Sequence, residues 1–324
     1  MIRGAGAIAL ICLVGVAFVG SYVGALHHPQ PHEVPVSVVG PAELQAKIGA
    51  GGSFDVKPAS TPRDAAEAID KRDTYASIVA SPQGLITVTT APAAGVPVAE
   101  VIDTKLVPAL KATGAKVKTK EVHPLGSEDA RGLSGFYLSV GWTVAGYLGA
   151  TFLGLIFTTT PGLIRTEWRL GAIATLALLM GLLGTLVVHL MGALDGSFLA
   201  SAAIGALTVF AVGAATIALQ SIFGIIGTGV AIFIFVVLGN PSSSGPLPAE
   251  MMPWLWRTIG PFLPIGAAVD TLRNISYFPA ASNVGNIIVL LVWAVVGSVV
   301  AMLRGNQNER FGKADAEVRR ATSS

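Results

Sequence analysis

The chain has 324 residues and a formal net charge of +2, but only 12% of its residues are charged and 52% are hydrophobic. A soluble globular chain carries about 25% charge, so a single soluble domain is excluded. The near balance of 21 basic and 19 acidic residues gives no clustered Lys and Arg for a polyanion and argues against a nucleic-acid partner, and the one cysteine, Cys12, excludes an intramolecular disulfide.

Arg3 precedes an apolar run over about residues 5–25, which His27-His28-Pro29-Gln30-Pro31-His32 closes. A cleaved signal peptide and an uncleaved helix both fit this pattern. The run is longer than the usual signal core of about 7–15 residues, which favours an N-terminal transmembrane anchor over residues 1–26. Gly20 and Gly24 form a G-x-x-x-G step of the kind that permits close helix contact. The three histidines are of metal-ligand type, but a proline-rich linker beside the membrane explains them, and no metal or cofactor is expected.

Residues 27–135 hold eleven Lys and Arg and twelve Asp and Glu, more than half of the charge in the chain. Alternating or β-branched runs predict strands over 34–39, 54–57, 75–80, 85–90 and 116–122. Thr61-Pro62-Arg63-Asp64 predicts a helix start, with an N-cap, a proline at the first helical position and an acid three residues on. A second helix is predicted over 97–112, with Pro108 kinking or splitting it. The order of elements fits helices packed on one mixed sheet, a small α/β domain. The carboxylate pairs Asp70 with Asp73 and Glu128 with Asp129 have no accompanying base or nucleophile, and Ser134 lacks a G-x-S-x-G setting. The chain is not expected to be an enzyme.

From Ser134 to Gly239 only Arg165, Glu167, Arg169 and Asp195 interrupt the apolar sequence. About 20 apolar residues span a bilayer as a helix, and spans are predicted over 136–159, 170–191, 198–219, 222–238 and 284–303. With the first run this gives an α-helical integral membrane protein of six transmembrane helices, with an extracytoplasmic α/β domain inserted between helices 1 and 2. A five-helix domain over 136–303 carries an extracytoplasmic loop over 240–283, and 304–324 form a tail. The break at Gln220-Ser221 is weak; without a turn there, five spans remain. Positive charge is retained on the cytoplasmic side. Arg3, Arg165, Arg169, Arg304, Arg310, Lys313, Arg319 and Arg320 then place both termini in the cytoplasm of a multi-pass plasma-membrane protein.

No Asp, Glu, Lys or Arg falls inside a predicted span, so the groups that usually bind a coupling ion are missing. A G-x-x-x-x-G-K-[ST] phosphate loop is missing too. Uphill movement of a substrate would then need energy from another polypeptide. Two segments remain for chemistry. The connection over 161–169 carries Arg165, Glu167, Trp168 and Arg169, either as a dock for a cytoplasmic ATPase or as topology charges beside an interfacial tryptophan. The loop 240–283 is rich in proline and aromatic residues, a composition suited to short helices at the interface or re-entering the outer leaflet, and Asp270 and Arg273 are spaced to pair at i, i+3.

Asn240-Pro241-Ser242-Ser243-Ser244-Gly245, then Leu247-Pro248, Leu255-Trp256-Arg257, Ile259-Gly260, Leu263-Pro264-Ile265-Gly266-Ala267 and Arg273 to Phe278, resembles the last extracytoplasmic loop of type-2 ABC exporter permeases. The layout of one span, an exported domain and five spans is similar to their phage-infection-protein-like membrane group. The resemblance implies a permease half that forms a homodimer or heterodimer in membrane lipid and is powered by a separate cytoplasmic ABC ATPase. It puts Arg165, Glu167, Trp168 and Arg169 in an ATPase-coupling loop. Pro241, Trp254, Trp256, Arg257, Pro264, Gly266, Asp270 and Arg273 fall in an outer gate loop, and the uncharged bundle suits an amphipathic or lipid-like substrate moved outward. The rival expectation is a non-transporting membrane protein whose exported domain binds a ligand, an envelope component or a phage.

Overall fold

The computed structural model describes residues 2–156, 162–224 and 226–322, with side chains over 12–306. The protein is mostly helical, with one small mixed sheet between the first helix and the long apolar helices. Helix α1 spans Ile2–Leu26. Strands β1 (Val34–Val39), β2 (Phe54–Pro58), β3 (Ala76–Ala80), β4 (Leu85–Thr90) and β5 (Lys116–Glu121) follow, in the sheet order β2-β1-β3-β4-β5. Only β3 and β4 pair antiparallel, joined by a tight turn at Ser81 to Gly84. The other pairs are parallel and need crossovers, which α2 (Ala42–Gly49), α3 (Pro62–Asp70) and α4 (Val96–Val101) with α5 (Val107–Ala112) supply.

Local chemistry explains these elements. The Thr61 hydroxyl accepts from the Asp64 N–H at 3.1 Å while the Asp64 carboxylate accepts from the Thr61 N–H at 3.0 Å, the reciprocal cap expected from the sequence. Val34, Val36, Val38, Ile78 and Val88 are fully buried, the inward half of the alternation. Pro108 acts earlier than expected. Proline cannot donate to residue 104 and crowds its carbonyl; the helix widens into a π-turn over Ile102–Leu106, with Val107 N–H bonding Ile102 O, before it resumes as α5.

Helices α6 (Ser134–Ile156), α7 (Leu163–Leu190) and α8 (Phe198–Phe223) come next. Then α9 (Ile226–Ile232) runs through a π-turn into α10 (Gly239–Ser242), short α11 (Trp254–Ile259) and α12 (Pro264–Tyr277) follow, and α13 (Val284–Thr322) ends the described chain. Four helices are long and apolar enough to cross a membrane: α6, α7, α8 and the Val284–Asn306 part of α13. These are the features of a membrane protein. Two shorter apolar stretches, Cys12–Leu26 and Ile226–Ser242, pack against each other. Helix α8 is the hub, 72% of its span buried against 22–28% for the other three. Its small residues allow this: at Gly205 the indole of Trp142 lies where a Cβ would stand.

The elements depart from the sequence expectations at three places. The break expected at Gln220-Ser221 lies at Gly224, whose φ of +62° suits glycine, and α8 continues to Phe223 because Gln220 and Ser221 keep helical geometry. The chain reverses there, since Gly227 sits against the Leu219 carbonyl and Gln220 bonds Thr228. Helix α7 begins at Leu163, seven residues before the expected 170, so Arg165, Glu167 and Arg169 stand within a span-length helix. Finally, α13 does not stop at the end of the expected 284–303 span: it continues unbroken to Thr322, so the expected 304–324 tail is helical as far as Thr322. Residues 157–161, the end of the expected 136–159 span and the start of the 161–169 connection, lie outside the described residues.

Candidate functional site

The loop 240–283 folds into a helical hairpin driven down beside the bundle. From the end of α1, where Trp256 Nε1 donates to Ser21 Oγ at 3.1 Å, α11 descends to an apex at Gly260-Pro261-Phe262. There Gly260 abuts the Ser242 carbonyl and the Phe262 carbonyl accepts from Trp293 Nε1 at 2.8 Å. Trp293 lies nine residues into α13, so at 1.5 Å per residue the apex is about 13 Å below the start of that helix. Helix α12 then climbs back. Pro264 opens it, a position where the missing N–H costs nothing, and Ala267, Ala268 and Leu272 join a cluster with Leu138, Trp142, Val209 and Leu290 of the bundle. The hairpin's other face is clothed by aromatics, with Trp254 70% and Phe262 67% exposed.

Where α12 nears the sheet, a polar network ties the two together. Arg72 Nη2 meets Asp270 Oδ1 at 2.8 Å. The same guanidinium donates to Asn274 Oδ1 and lies 5.5 Å from the centre of the Phe278 ring. Asn286 Nδ2 donates to the other Asp270 oxygen at 2.9 Å, and Asn274 Nδ2 to Asn283 Oδ1 at 2.8 Å. Arg72 is presented by a Schellman turn at the end of α3, with Asp73 N–H on Ala68 O and Arg72 N–H on Ile69 O. Its φ of +59° is one that glycine usually occupies. An arginine kept in that conformation is strained, and the strain is offset by the ion pair it makes across the interface.

Between these groups lies a cavity of about 280 Å³, lined from the sheet side by Arg72, Thr74 and Tyr75 and from the loop side by Glu250, Asp270 and Arg273. Tyr75 donates to Glu250 Oε2 at 2.7 Å; burial and then this carboxylate push the phenol well above its ordinary value. Burial by itself would raise the Asp270 pKa, but Arg72, the Asn286 bond and Arg273 outweigh it and hold the carboxyl below its usual range. Arg273 does not take the expected i, i+3 partner, because Arg72 reaches Asp270 from the sheet. Its Nη2 donates instead to the carbonyls of Ser244 and Gly245 at 3.0 and 3.4 Å. Burial, then repulsion from Arg72, pull the Arg273 guanidinium below the ordinary arginine value. Nearby, burial, Asp129 and Asp195 push Tyr277 up to about 12.

At the opposite end of the bundle, the first turns of α7 divide. Ile164, Arg165, Glu167 and Trp168 face outward, Trp168 at 69% exposure. Arg169 turns inward, donating to the Ala150 carbonyl at 3.1 Å and to Gln220 Oε1, while Gln220 Nε2 donates to Thr228 at 2.9 Å. Arg169 thus ties α6, α7, α8 and α9 into one end-piece. Between the two ends the buried hydroxyls of Thr143, Thr208 and Thr216 each bond a carbonyl one turn back, while that of Thr185 on α7 has no hydrogen-bond partner. The only carboxylate in the four spans is the exposed Glu167.

Of the expected gate residues, Gly266, Asp270 and Arg273 line the cavity. Pro241 is buried in α10 and Pro264 at the start of α12. Trp256 locks α11 to α1, and Arg257 sits half-buried in the last turn of α11. The sequence reading missed Arg72, Tyr75, Glu250, Asn274 and Asn286. It missed equally that Leu247, Met251 and Met252 complete the core of the sheet unit. A positively charged residue where a helix C-terminus favours glycine was the one local sign; its partner, 198 residues away, has none. No family model, no curated protein and no solved structure matches the chain.

Proposed function

We propose that this chain is the permease subunit of a type-2 ABC exporter, a homodimer or heterodimer half in the plasma membrane that moves an amphipathic or lipid-like substrate outward. In this reading α1 and Ile226–Ser242 cross the bilayer with the four longer helices, giving six spans. The sheet unit is then extracytoplasmic and both termini are cytoplasmic, as the basic residues near 3, 165–169 and 304–320 require. The observation that carries the reading is the pairing of two features at opposite ends: a helical hairpin about 13 Å deep at the sheet end, and an exposed Ile164, Arg165, Glu167 and Trp168 surface at the other. The hairpin is the outer gate. The exposed surface receives the cytoplasmic ATPase, whose stroke reaches the bundle through Arg169. Among the described residues the bundle core holds no carboxylate, the side chain that usually binds a coupling proton or cation, which favours an outside source of energy. Affinity capture of the tagged chain from native membranes in mild detergent tests this: a P-loop ATPase should co-purify with the wild type and be lost with Arg165→Ala plus Trp168→Ala. Capture of no nucleotide-binding subunit would sink the proposal.

One observation favours the rival reading, a membrane-anchored binding protein. A second cavity of about 380 Å³, between α2 and α5, is walled by Leu44, Ile48, Phe54 and Leu106 with Lys47 and Lys105 among its lining. A ligand held there with no ATPase partner would support that alternative.

A further inference from the structure

The sheet unit carries an open apolar cleft. The cavity between α2 and α5, about 380 Å³, falls within the roughly 300–1,000 Å³ of small-molecule sites. Of its apolar lining, Ile48, Leu106 and Leu110 are buried, while Leu44, Phe54 and Val101 are only half-buried and leave apolar surface open to solvent. The cleft is elongated. Val101, Lys105, Ala109 and Thr113 line it at four-residue steps, a run of about 18 Å at 1.5 Å per residue. The π-turn over Ile102–Leu106 lies within that wall, and such turns recur at functional sites. The charged lining is two lysines and one carboxylate, a net charge of +1. Lys47 stands on α2 and Lys105 on the π-turn, and among the described residues neither has an ion-pair partner; Glu43, one turn before Lys47, is unpaired as well.

We propose that this cleft binds a long-chain fatty acid, its alkyl chain along the Val101 to Thr113 wall and its carboxylate between Lys47 and Lys105. A long apolar cleft suits an alkyl chain and not a compact polar ring, and burial of that chain supplies most of the affinity. The lysine ammoniums are compact point charges that meet a carboxylate without fixed geometry. Both are exposed, so they select the sign of the head group more than they add affinity. The position gives access to lipid. Pro31 lines the cleft and lies five residues after Leu26, the end of α1, so at no more than about 3.6 Å per residue the cleft is within about 18 Å of that helix end. With α1 as a span, as proposed above, the acid is drawn from the outer leaflet. This inference gives the binding-protein reading its ligand class, yet the cleft lies in the sheet unit and needs neither the hairpin nor an ATPase, so it stands or falls apart from the transport proposal.

Photo-crosslinking of the full chain in phosphatidylcholine nanodiscs, using palmitic acid with a terminal diazirine followed by peptide mapping, tests it. Label should appear in peptides covering 44–54 and 101–113. Lys47→Glu plus Lys105→Glu should reduce that label at least tenfold, whereas Lys111→Glu, exposed on α5 and outside the lining, should leave it unchanged. Ala109 is exposed and lines the cleft, so Ala109→Trp occupies it with every charge in place and should also remove the label. An alkyl trimethylammonium of equal length with the same diazirine should not label these peptides. Label confined to the apolar helices, or wild-type labelling of the cleft in both the double-lysine and Ala109→Trp variants, would overturn the site. Cleft labelling by the cationic analogue as strong as by the acid would overturn the choice of a fatty acid.

Discussion

Replacing Arg72 separates two opposing contributions that meet in one residue. Its left-handed backbone costs about 1 kcal/mol in a non-glycine residue, and its hydrogen-bonded ion pair with Asp270 contributes about 1.5–3 kcal/mol. The lower part of that range applies, because the Asp270 side chain is 37% exposed and partly screened. Arg72→Ala loses the pair and keeps the strain, so it should destabilise the full chain by about 1.5–2 kcal/mol; Arg72→Gly loses both and should destabilise it by only about 0.5–1 kcal/mol. Thermal unfolding in nanodiscs measures both, and Asp270→Asn closes a double-mutant cycle with a coupling of about 1 kcal/mol or more. The pair also has a pH signature. Asp270 is held below its ordinary value, so its contribution is fully present above the unfolded carboxylate pKa of about 3.9 and is lost as pH falls through the lower folded value. The wild type should therefore lose its advantage over Arg72→Gly below about pH 4. Equal stability of the Gly and Ala variants, or a coupling near zero, would refute the reasoning.

Three further outcomes follow from the packing. Tyr75 and Tyr277 carry raised phenol pKa values, so Tyr75→Phe and Tyr277→Phe should leave the phenolate absorbance at pH 11 unchanged, and native stability should fall as pH rises above about 10 because only the unfolded chain ionises there; a lost phenolate signal in either variant would contradict it. Gly24→Val places a Cβ 2.7 Å from the Trp256 ring and should displace the indole from Ser21, shifting tryptophan emission at a cost of about 1–3 kcal/mol, whereas Gly20→Val, with nothing within 4 Å, should be silent. Gly205→Ala drives a methyl into Trp142 and should cost about 1–3 kcal/mol by thermal melt; a neutral result would mean that α6 and α8 are not in close contact.

The sheet strands were legible because β-branched alternation is a local signal, and the α3 start because Thr61 and Asp64 cap it within one turn. Helix ends were less so. Hydropathy marks where apolar side chains stop, but α7 extends seven residues further because Arg169 finds Gln220 on α8, a tertiary partner invisible to a sequence window. The reversal moved from Gln220-Ser221 to Gly224 for a similar reason: a polar pair inside the bundle end can stay helical. The hairpin's residues were singled out by proline and aromatic content. Their meeting with Arg72 and Tyr75 was not legible, since long-range polar pairing leaves no periodic trace, and Asp270 looked destined for its own helix neighbour.

The measurement closest to the central proposal is ATP hydrolysis by the chain co-reconstituted in nanodiscs with the captured nucleotide-binding subunit. Hydrolysis should rise with the wild-type chain present and fall at least fivefold, roughly a 1 kcal/mol effect, with Arg165→Ala plus Trp168→Ala at equal membrane content. An ATPase rate indifferent to those two residues would contradict the account.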